Sequence, residues 1–320
     1  MQKLNAMQKA ALKLAKGYKF ATSPACKLVA VRNGTMTATG LAVRIDTPCD
    51  LPDGLYSPSV LELASALGTT PQRYDTPMEE YPFSHLACPD TPPQLVTIPP
   101  EGMETLRKVL PAVAVKDVRY YLNGALFELE SGHVVATDGC RLHRAPVFTA
   151  DGSGSVIVPD TLLKFLAKEK TCIMAFYEGL IRATLIDGTT VSANPVDGRY
   201  PNYERVIPTR DKSVDAAGLT VCKTNGVKYI VKALEKGSKS PSVRVEFFAP
   251  HKLRVVKEYD APGIVLPFEG ALAVNARYLI NAVEALELSS ACVFFGGSAT
   301  ESIYFTDGRG MQVVVMPLRV

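Results

Sequence analysis

Three hundred and twenty residues allow two or three domains of about 100 to 150 residues, each able to bury its own core, and exclude a single small domain. An apolar fraction of 47% against a charged fraction of 21% excludes wholesale disorder. The net charge of +3 is unevenly placed: residues 1–45 hold Lys3, Lys9, Lys13, Lys16, Lys19, Lys27, Arg32 and Arg44 without one acidic residue. A second basic cluster, Lys223, Lys228, Lys232, Lys236 and Lys239, is interrupted by Glu235 alone. Segregated lysines suggest a basic surface facing a polyanion, with a solvated helix face as the plain alternative. No apolar run approaches the ~18 residues of a membrane span, so the chain reads as cytoplasmic with no membrane partner. Seven scattered cysteines without a CxxC pair read as reduced thiols, and no metal or other cofactor is expected.

In chain order, Leu4, Met7, Ala11 and Leu14 recur at helical spacing, with Lys9, Lys13 and Lys16 set against them. Two strands, 27–31 and 35–45, are joined through Asn33-Gly34, a type I′ hairpin signal. A second helix starts at Ser57-Pro58. Pro77 and Pro82 limit the stretch 72–86 to a short edge strand or an irregular contact, and the prolines of 88–96 mark a linker. Met103, Leu106 and Leu110 open the next helix. Tyr120 to Leu122, 125–129 and 133–136 form a meander, and Pro159-Asp160 opens another helix. After a second boundary at 205–213 the order repeats, with a helix through Val227, Ile230, Val231 and Leu234, strands at 243–248 and 253–257, and a helix from Asn275. Lys228, Lys232 and Lys236 oppose that third apolar stripe. Recurrence of one order of signals three times predicts an α+β chain of three like domains, 1–94, 95–209 and 210–320, each with two helices packed on antiparallel sheets.

Catalytic signatures fail one by one. No phosphate-binding glycine loop, nucleophile elbow or HExxH motif occurs. Asp138-Gly139, Asp187-Gly188, Asp197-Gly198 and Asp307-Gly308 could supply metal-binding carboxylates to a nuclease, but Asp-Gly between strand-like runs reads first as a turn.

Val134-Val135-Ala136-Thr137-Asp138-Gly139-Cys140-Arg141-Leu142 resembles a signature of the bacterial replicative sliding clamp, the β subunit of DNA polymerase III. Segments 117–124, 155–159, 196–208 and 314–320 resemble clamp segments in clamp order, so the likeness covers residues 95 to 320. It implies the DNA-clamp fold and a non-catalytic processivity factor. Such a subunit encircles double-stranded DNA without reading sequence and pairs as a homodimer ring. It also implies a hydrophobic pocket for short linear motifs of DNA polymerase and clamp-loader subunits. Carried over, the pocket comprises Leu122, Thr137, Gly139, Cys140, Arg141, Leu142, Pro201, Arg205, Val206, Val314, Met316, Pro317, Leu318 and Arg319, rimmed by Asn275, Tyr278 and Ser302. DNA contact falls to Lys9, Lys13, Lys16, Lys228, Lys232 and Lys236 and to a loop at Lys116, Tyr120 and Tyr121. Two departures stand out: Cys140 and His143 replace the residues usual there, and the first domain is shortened where the family forms its joint between subunits. A phage- or plasmid-encoded protein that uses the pocket without closing a ring is the alternative.

Overall fold

Asn33 and Gly34 turn the chain back with φ of 51° and 71°, the left-handed pair a type I′ turn demands, and Arg32 faces Thr35 across the hairpin. The computed structural model describes residues 3–17, 24–40, 42–149, 151–207, 213–214, 244–248, 252–255, 259–262, 271–287, 291–295 and 300–318. Its first stretch runs α1 (Ala6–Gly17), β1 (Val29–Arg32), β2 (Thr35–Thr39), β3 (Arg44–Pro48), β4 (Gly54–Tyr56) and α2 (Pro58–Leu67). The strand expected over 35–45 is thus two strands. α2 opens on Pro58, whose missing N–H costs nothing at a first helical position, and closes at Gly68 with φ 71°.

The second stretch adds β5 (Gln94–Ile98), α3 (Pro100–Val109), β6 (Gly124–Glu128), β7 (His133–Thr137), β8 (Arg141–Pro146), β9 (Ser155–Pro159), α4 (Asp160–Leu166), β10 (Cys172–Tyr177), β11 (Leu180–Leu185) and β12 (Thr190–Ala193). The third adds β13 (Ser213–Val214), β14 (Arg244–Phe248), β15 (Lys252–Val255), β16 (Tyr259–Pro262), β17 (Ala271–Asn275), α5 (Ala276–Ala285), β18 (Cys292–Phe295), β19 (Ile303–Thr306) and β20 (Gln312–Val315). The helix at Val227 to Leu234 and its lysines lie outside the described residues. Asn275 caps α5, its side-chain oxygen accepting the Arg277 N–H at 2.9 Å. Helix α2, helix α4 and helix α5 start where their punctuation places them. Helices α4 and α5 are each followed by three strands, whereas residues 68–93 after α2 form none, holding only a bridge between Leu55 and Tyr74 and a 3₁₀ turn at Met78–Glu80. Of the short edge strand and the irregular contact expected over 72–86, the chain takes the irregular form, because its prolines deny a ladder its N–H donors.

Contacts divide the chain into two compact units, residues 1–103 with 148–196, and 104–147 with 197–320. The first unit is built on an eight-stranded antiparallel sheet ordered β4-β1-β2-β3-β12-β11-β10-β5. β5 overlaps the expected linker; it is admitted because it is an edge strand, pairing only with β10, with its prolines beyond its ends. One face of this sheet is apolar and buried, from Val29, Val31 and Met36 through Ile45, Val191 and Ile181 to Met174 and Ile98, and α1 packs on it over β2 and β3. The buried residues of α1 are Ala11, Leu12 and Ala15, with Met7 and Leu14 half-buried, so its packing face is rotated from the one expected. The opposite face is polar: the registers place Arg32, Thr35, Thr37, Arg44, Asp46, Thr190 and Arg182 together. In the second unit β13-β18-β19-β20-β8-β7-β6 follow one another in a sheet, and β16-β15-β14-β17 form a four-stranded one.

Tyr81 holds the strandless segment down. Its buried hydroxyl donates to the Thr37 carbonyl at 3.0 Å and accepts the Thr39 N–H at 3.2 Å, while its ring joins Ala30 and Leu55. Removing the hydroxyl leaves a buried N–H without a partner, which costs about 1 to 3 kcal/mol. Tyr81→Phe is therefore expected to lower the free energy of unfolding by that amount, read from a lower denaturant midpoint at unchanged slope; an unchanged midpoint would show that solvent reaches Thr39.

Candidate functional site

The link between β7 and β8 is three residues, Asp138-Gly139-Cys140, and its side chains wire it shut. Asp138 Oδ1 accepts the N–H groups of Cys140 (3.0 Å) and Arg141 (3.1 Å). Thr137 Oγ1 donates to the Arg141 carbonyl at 2.6 Å and accepts from Gly139 N–H. Gly139 sits at φ 87°, a left-handed conformation that favours glycine; a Cβ there would meet only the Arg119 guanidinium, the far end of a half-exposed side chain that can move aside. Arg119 in turn donates to the Asp138 carbonyl and pairs with Asp117 at 2.8 Å, which holds the Asp117 carboxyl down at about 2. The other Asp-Gly pairs also place glycine at positive φ, Gly188 at 79°, Gly198 at 105° and Gly308 at 70°. Three of the four link successive strands, as the turn reading expects; Asp197-Gly198 follows β12 and leads to a 3₁₀ turn.

Arg141 is the hub of the second unit's site. Buried to 8% exposure, its Nε donates to Asp138 Oδ2 at 3.0 Å, an Nη reaches the Pro111 carbonyl, and its guanidinium lies 4.2 Å from the ring centre of Tyr278 on α5. Burial, then the Asp138 carboxylate, pushes the Tyr278 phenol up, so it stays protonated. β20 pairs with β8, Val315 opposite Arg141 and Val314 opposite Leu142. The chain then leaves the sheet over this turn: Met316 N–H donates to the Cys140 carbonyl at 2.9 Å and Leu318 N–H to the Ala273 carbonyl at 2.7 Å. Cys140, Arg141, Leu142, Val314, Met316 and Tyr278 are thereby brought to one place. Gly139, Cys140 and Met316 are exposed there, Met316 at 39%, with Pro317, Leu318, Asn275, Tyr278 and Ser302 half-buried. Leu122, Thr137, Arg141, Leu142 and Val314 are buried and form its support. The Tyr200 hydroxyl accepts the Thr137 N–H at 3.0 Å and so fixes the chain entering Pro201. Arg205 and Val206 stand exposed on a 3₁₀ turn, anchored through Tyr203 to Glu128. Arg319 lies outside the described residues.

Of the DNA-facing residues expected, Lys9, Lys13 and Lys16 are exposed along α1, where Lys16 forms an ion pair with Glu62 of α2. Lys116 is exposed at φ 56°. Tyr120 and Tyr121, expected in a strand, instead lie in a 3₁₀ turn that ends at Leu122, with their rings edge to face at 5.8 Å. Val118 beside them is 95% exposed.

Residues 98–202 match the family of the DNA polymerase III beta subunit, central domain. The chain is 29% identical over 245 residues to the beta sliding clamp of Escherichia coli K12, covering 70% of this chain and 65% of that protein. To the beta sliding clamp of Vibrio cholerae it is 28% identical over 227 residues, covering 65% and 61%. Over roughly two thirds of its length the chain is similar to the bacterial β sliding clamps. It spans somewhat less than two thirds of the length of these relatives. A solved Caulobacter crescentus beta sliding clamp superposes with a TM-score of 0.75 at 20% identity over 98% of this chain and 97% of that one, which gives it the clamp fold. A Pseudomonas aeruginosa sliding clamp superposes with a TM-score of 0.68, also at 20% identity, over 98% of each chain.

His143, one of the two departures, is fully buried rather than on the wall of the patch. Its Nδ1 donates to the Lys108 carbonyl at 2.8 Å, its Nε2 has no partner, and burial lowers its pKa to about 4. The folded ring therefore resists a proton that the unfolded chain accepts below pH 6.5, so stability falls as pH drops from 6.5 to 4 and this contribution levels off below. The loss is about 3 kcal/mol across that window. Urea midpoints between pH 7 and pH 4 are expected to show this slope, and His143→Gln to flatten it; parallel slopes would mean the native ring titrates freely. The Asp117 contribution is lost separately, below pH 4, as its lowered pKa dictates.

Proposed function

We propose that this chain is a subunit of a DNA sliding clamp, a non-catalytic processivity factor that encircles duplex DNA and tethers DNA polymerase and clamp-loader subunits. The observation that carries the reading is the tail of β20. Backbone bonds pin Met316 and Leu318 between Cys140 and Ala273, leaving a small apolar surface of Met, Pro and Leu side chains over a rigid polar base. Flexible thioether and aliphatic groups adapt to Leu or Phe anchors, and the flanking backbone orients a peptide. The lysines of α1 and the loop at Lys116, Tyr120 and Tyr121 supply charge without an element that reads bases, as sliding requires. The names borne by the relatives favour the same role.

Labelled peptide carrying Gln and Leu/Phe anchors is expected to bind with micromolar affinity, about −8 kcal/mol. Deleting 316–320 is expected to abolish binding while circular dichroism stays unchanged. Absence of saturable binding to the intact chain, or equal binding to the deletion, contradicts the reading.

The strandless stretch 68–93 favours a second reading, in which the patch is used without ring closure. An open sheet edge at a joint between subunits is a weak contact. We favour a ring-forming homodimer with a joint looser than that of a subunit whose second helix is followed by strands. Light scattering at micromolar protein is expected to show a concentration-dependent dimer. A species of only 34.5 kDa at every concentration would establish the open form.

A further inference from the structure

The polar face of the eight-stranded sheet holds a cavity of about 450 Å³ that the proposed function leaves unused. Its floor is one row of side chains, Thr37, Asp46 and Thr190, set opposite one another across β2, β3 and β12. Among the described residues Asp46 is the only carboxylate lining it, and it is already engaged: Arg44 Nε reaches both its oxygens, at 3.0 and 2.8 Å, and Thr37 Oγ1 donates at 2.7 Å. Arg44 is engaged as well, its Nη1 donating to the Phe83 carbonyl and to that of His85 at 3.4 Å. Nearby Asp53 and Asp187 are turned to the backbone, accepting the N–H groups of Asn33 and Thr189 at 2.9 Å each.

Two cations remain. Arg32 is exposed at the end of β1 with its guanidinium 5.6 Å from the centre of the Phe83 ring. Arg182 on β11 donates Nε to Ser192 Oγ at 3.2 Å. Neither forms an ion pair among the described residues. Four strand spacings, about 19 Å of backbone, separate β1 from β11, and both side chains line the one cavity between them. A neutralised carboxylate in the middle with a free guanidinium at either side disfavours an unbroken polyanion lying across Asp46. It suits a ligand whose negative charges flank a neutral centre. Extended peptide has that form when two acidic residues stand six positions apart, since at 3.2 to 3.4 Å per residue they span about 20 Å and project to the same side.

We propose that this cavity binds an extended acidic peptide segment of a partner protein, its two carboxylates on Arg32 and Arg182 and the neutral residues between them over Thr37, Asp46 and Thr190. Guanidinium forks match carboxylates in pairs of parallel hydrogen bonds, and the threonine hydroxyls serve the intervening backbone. α1 packs on the opposite face of the same sheet, so the peptide and a polyanion lying along the α1 lysines use different surfaces of the first unit. This site does not depend on the clamp reading.

The test is fluorescence anisotropy of the full chain with a labelled Ser-Glu-Ser-Ser-Ser-Ser-Ser-Glu-Ser peptide at low salt, beside its Gln-for-Glu counterpart and a labelled oligothymidine. Saturable binding of the acidic peptide is expected, weakened about tenfold by Arg32→Ala and again by Arg182→Ala, and suppressed by 0.5 M salt. Arg32 is exposed, so its variant keeps the fold and decides the matter if Arg182→Ala lowers the melting temperature. Equal binding by the Gln peptide, equal binding by the Arg32 variant, or preference for oligothymidine would overturn the proposal.

Discussion

Strand edges that must find partners organise this molecule. A sheet edge presents a row of backbone donors and acceptors that cost free energy if buried unmet. Here β3 meets that demand with β12, and β8 with β20, so stretches far apart in sequence complete one another's sheets. The boundaries read from sequence, at 94 and 209, divide a repeat of element order, and the sheets run across them. The second pairing also builds the site. Because Val315 is locked opposite Arg141, the next residue leaves the sheet beside the Asp138-Gly139-Cys140 turn, and the exposed Met316 is fixed there by register alone.

Arg141 shows why the site has a hard base and a soft surface. A buried guanidinium is costly unless every direction is met, and Asp138, the Pro111 carbonyl and the Tyr278 ring meet it from three separate segments. Removing one partner would leave a stranded charge, so these segments hold one another in place. Above them the exposed groups are Met, Cys, Pro and Leu, which can repack around differing anchors. The signature around Thr137 to Leu142 is therefore mostly a device for folding a turn, and only Gly139 and Cys140 among those residues face outward.

What could be read from sequence was whatever is local. Asn33-Gly34, Ser57-Pro58, Asn275 and the Asp-Gly turns declare themselves through dihedral preference and capping, which neighbours a few residues away decide. The proline-rich approach to β5 misled because a strand with one partner tolerates prolines just outside it, and edge position is a tertiary fact. The packing face of α1 was rotated because Ala15 and Leu12, small and medium residues, fit against the sheet better than the spacing of Met7 and Leu14 suggested. In the site, the resemblance supplied the residues, while the contact of Arg141 with Tyr278 and the burial of His143 follow from long-range pairing that no spacing encodes. The arginine-lined cavity was invisible for the same reason: Arg32, Arg44 and Arg182 share a face only once β3 has met β12.

That late meeting has a consequence during synthesis. Asp46 waits 144 residues for Thr190, and Arg144 waits 168 for Gln312. At about 5 to 20 residues per second, the β3 edge emerges roughly 7 to 30 s before its partner exists, and the β8 edge waits longer still. Through that interval the nascent chain carries a flat, half-built sheet able to accept a strand from any neighbour on the same message. The threonines and charged side chains of β2 and β3 then act as guards, since Thr37, Arg44 and Asp46 face outward on the unfinished edge and make its polar side a poor template for association.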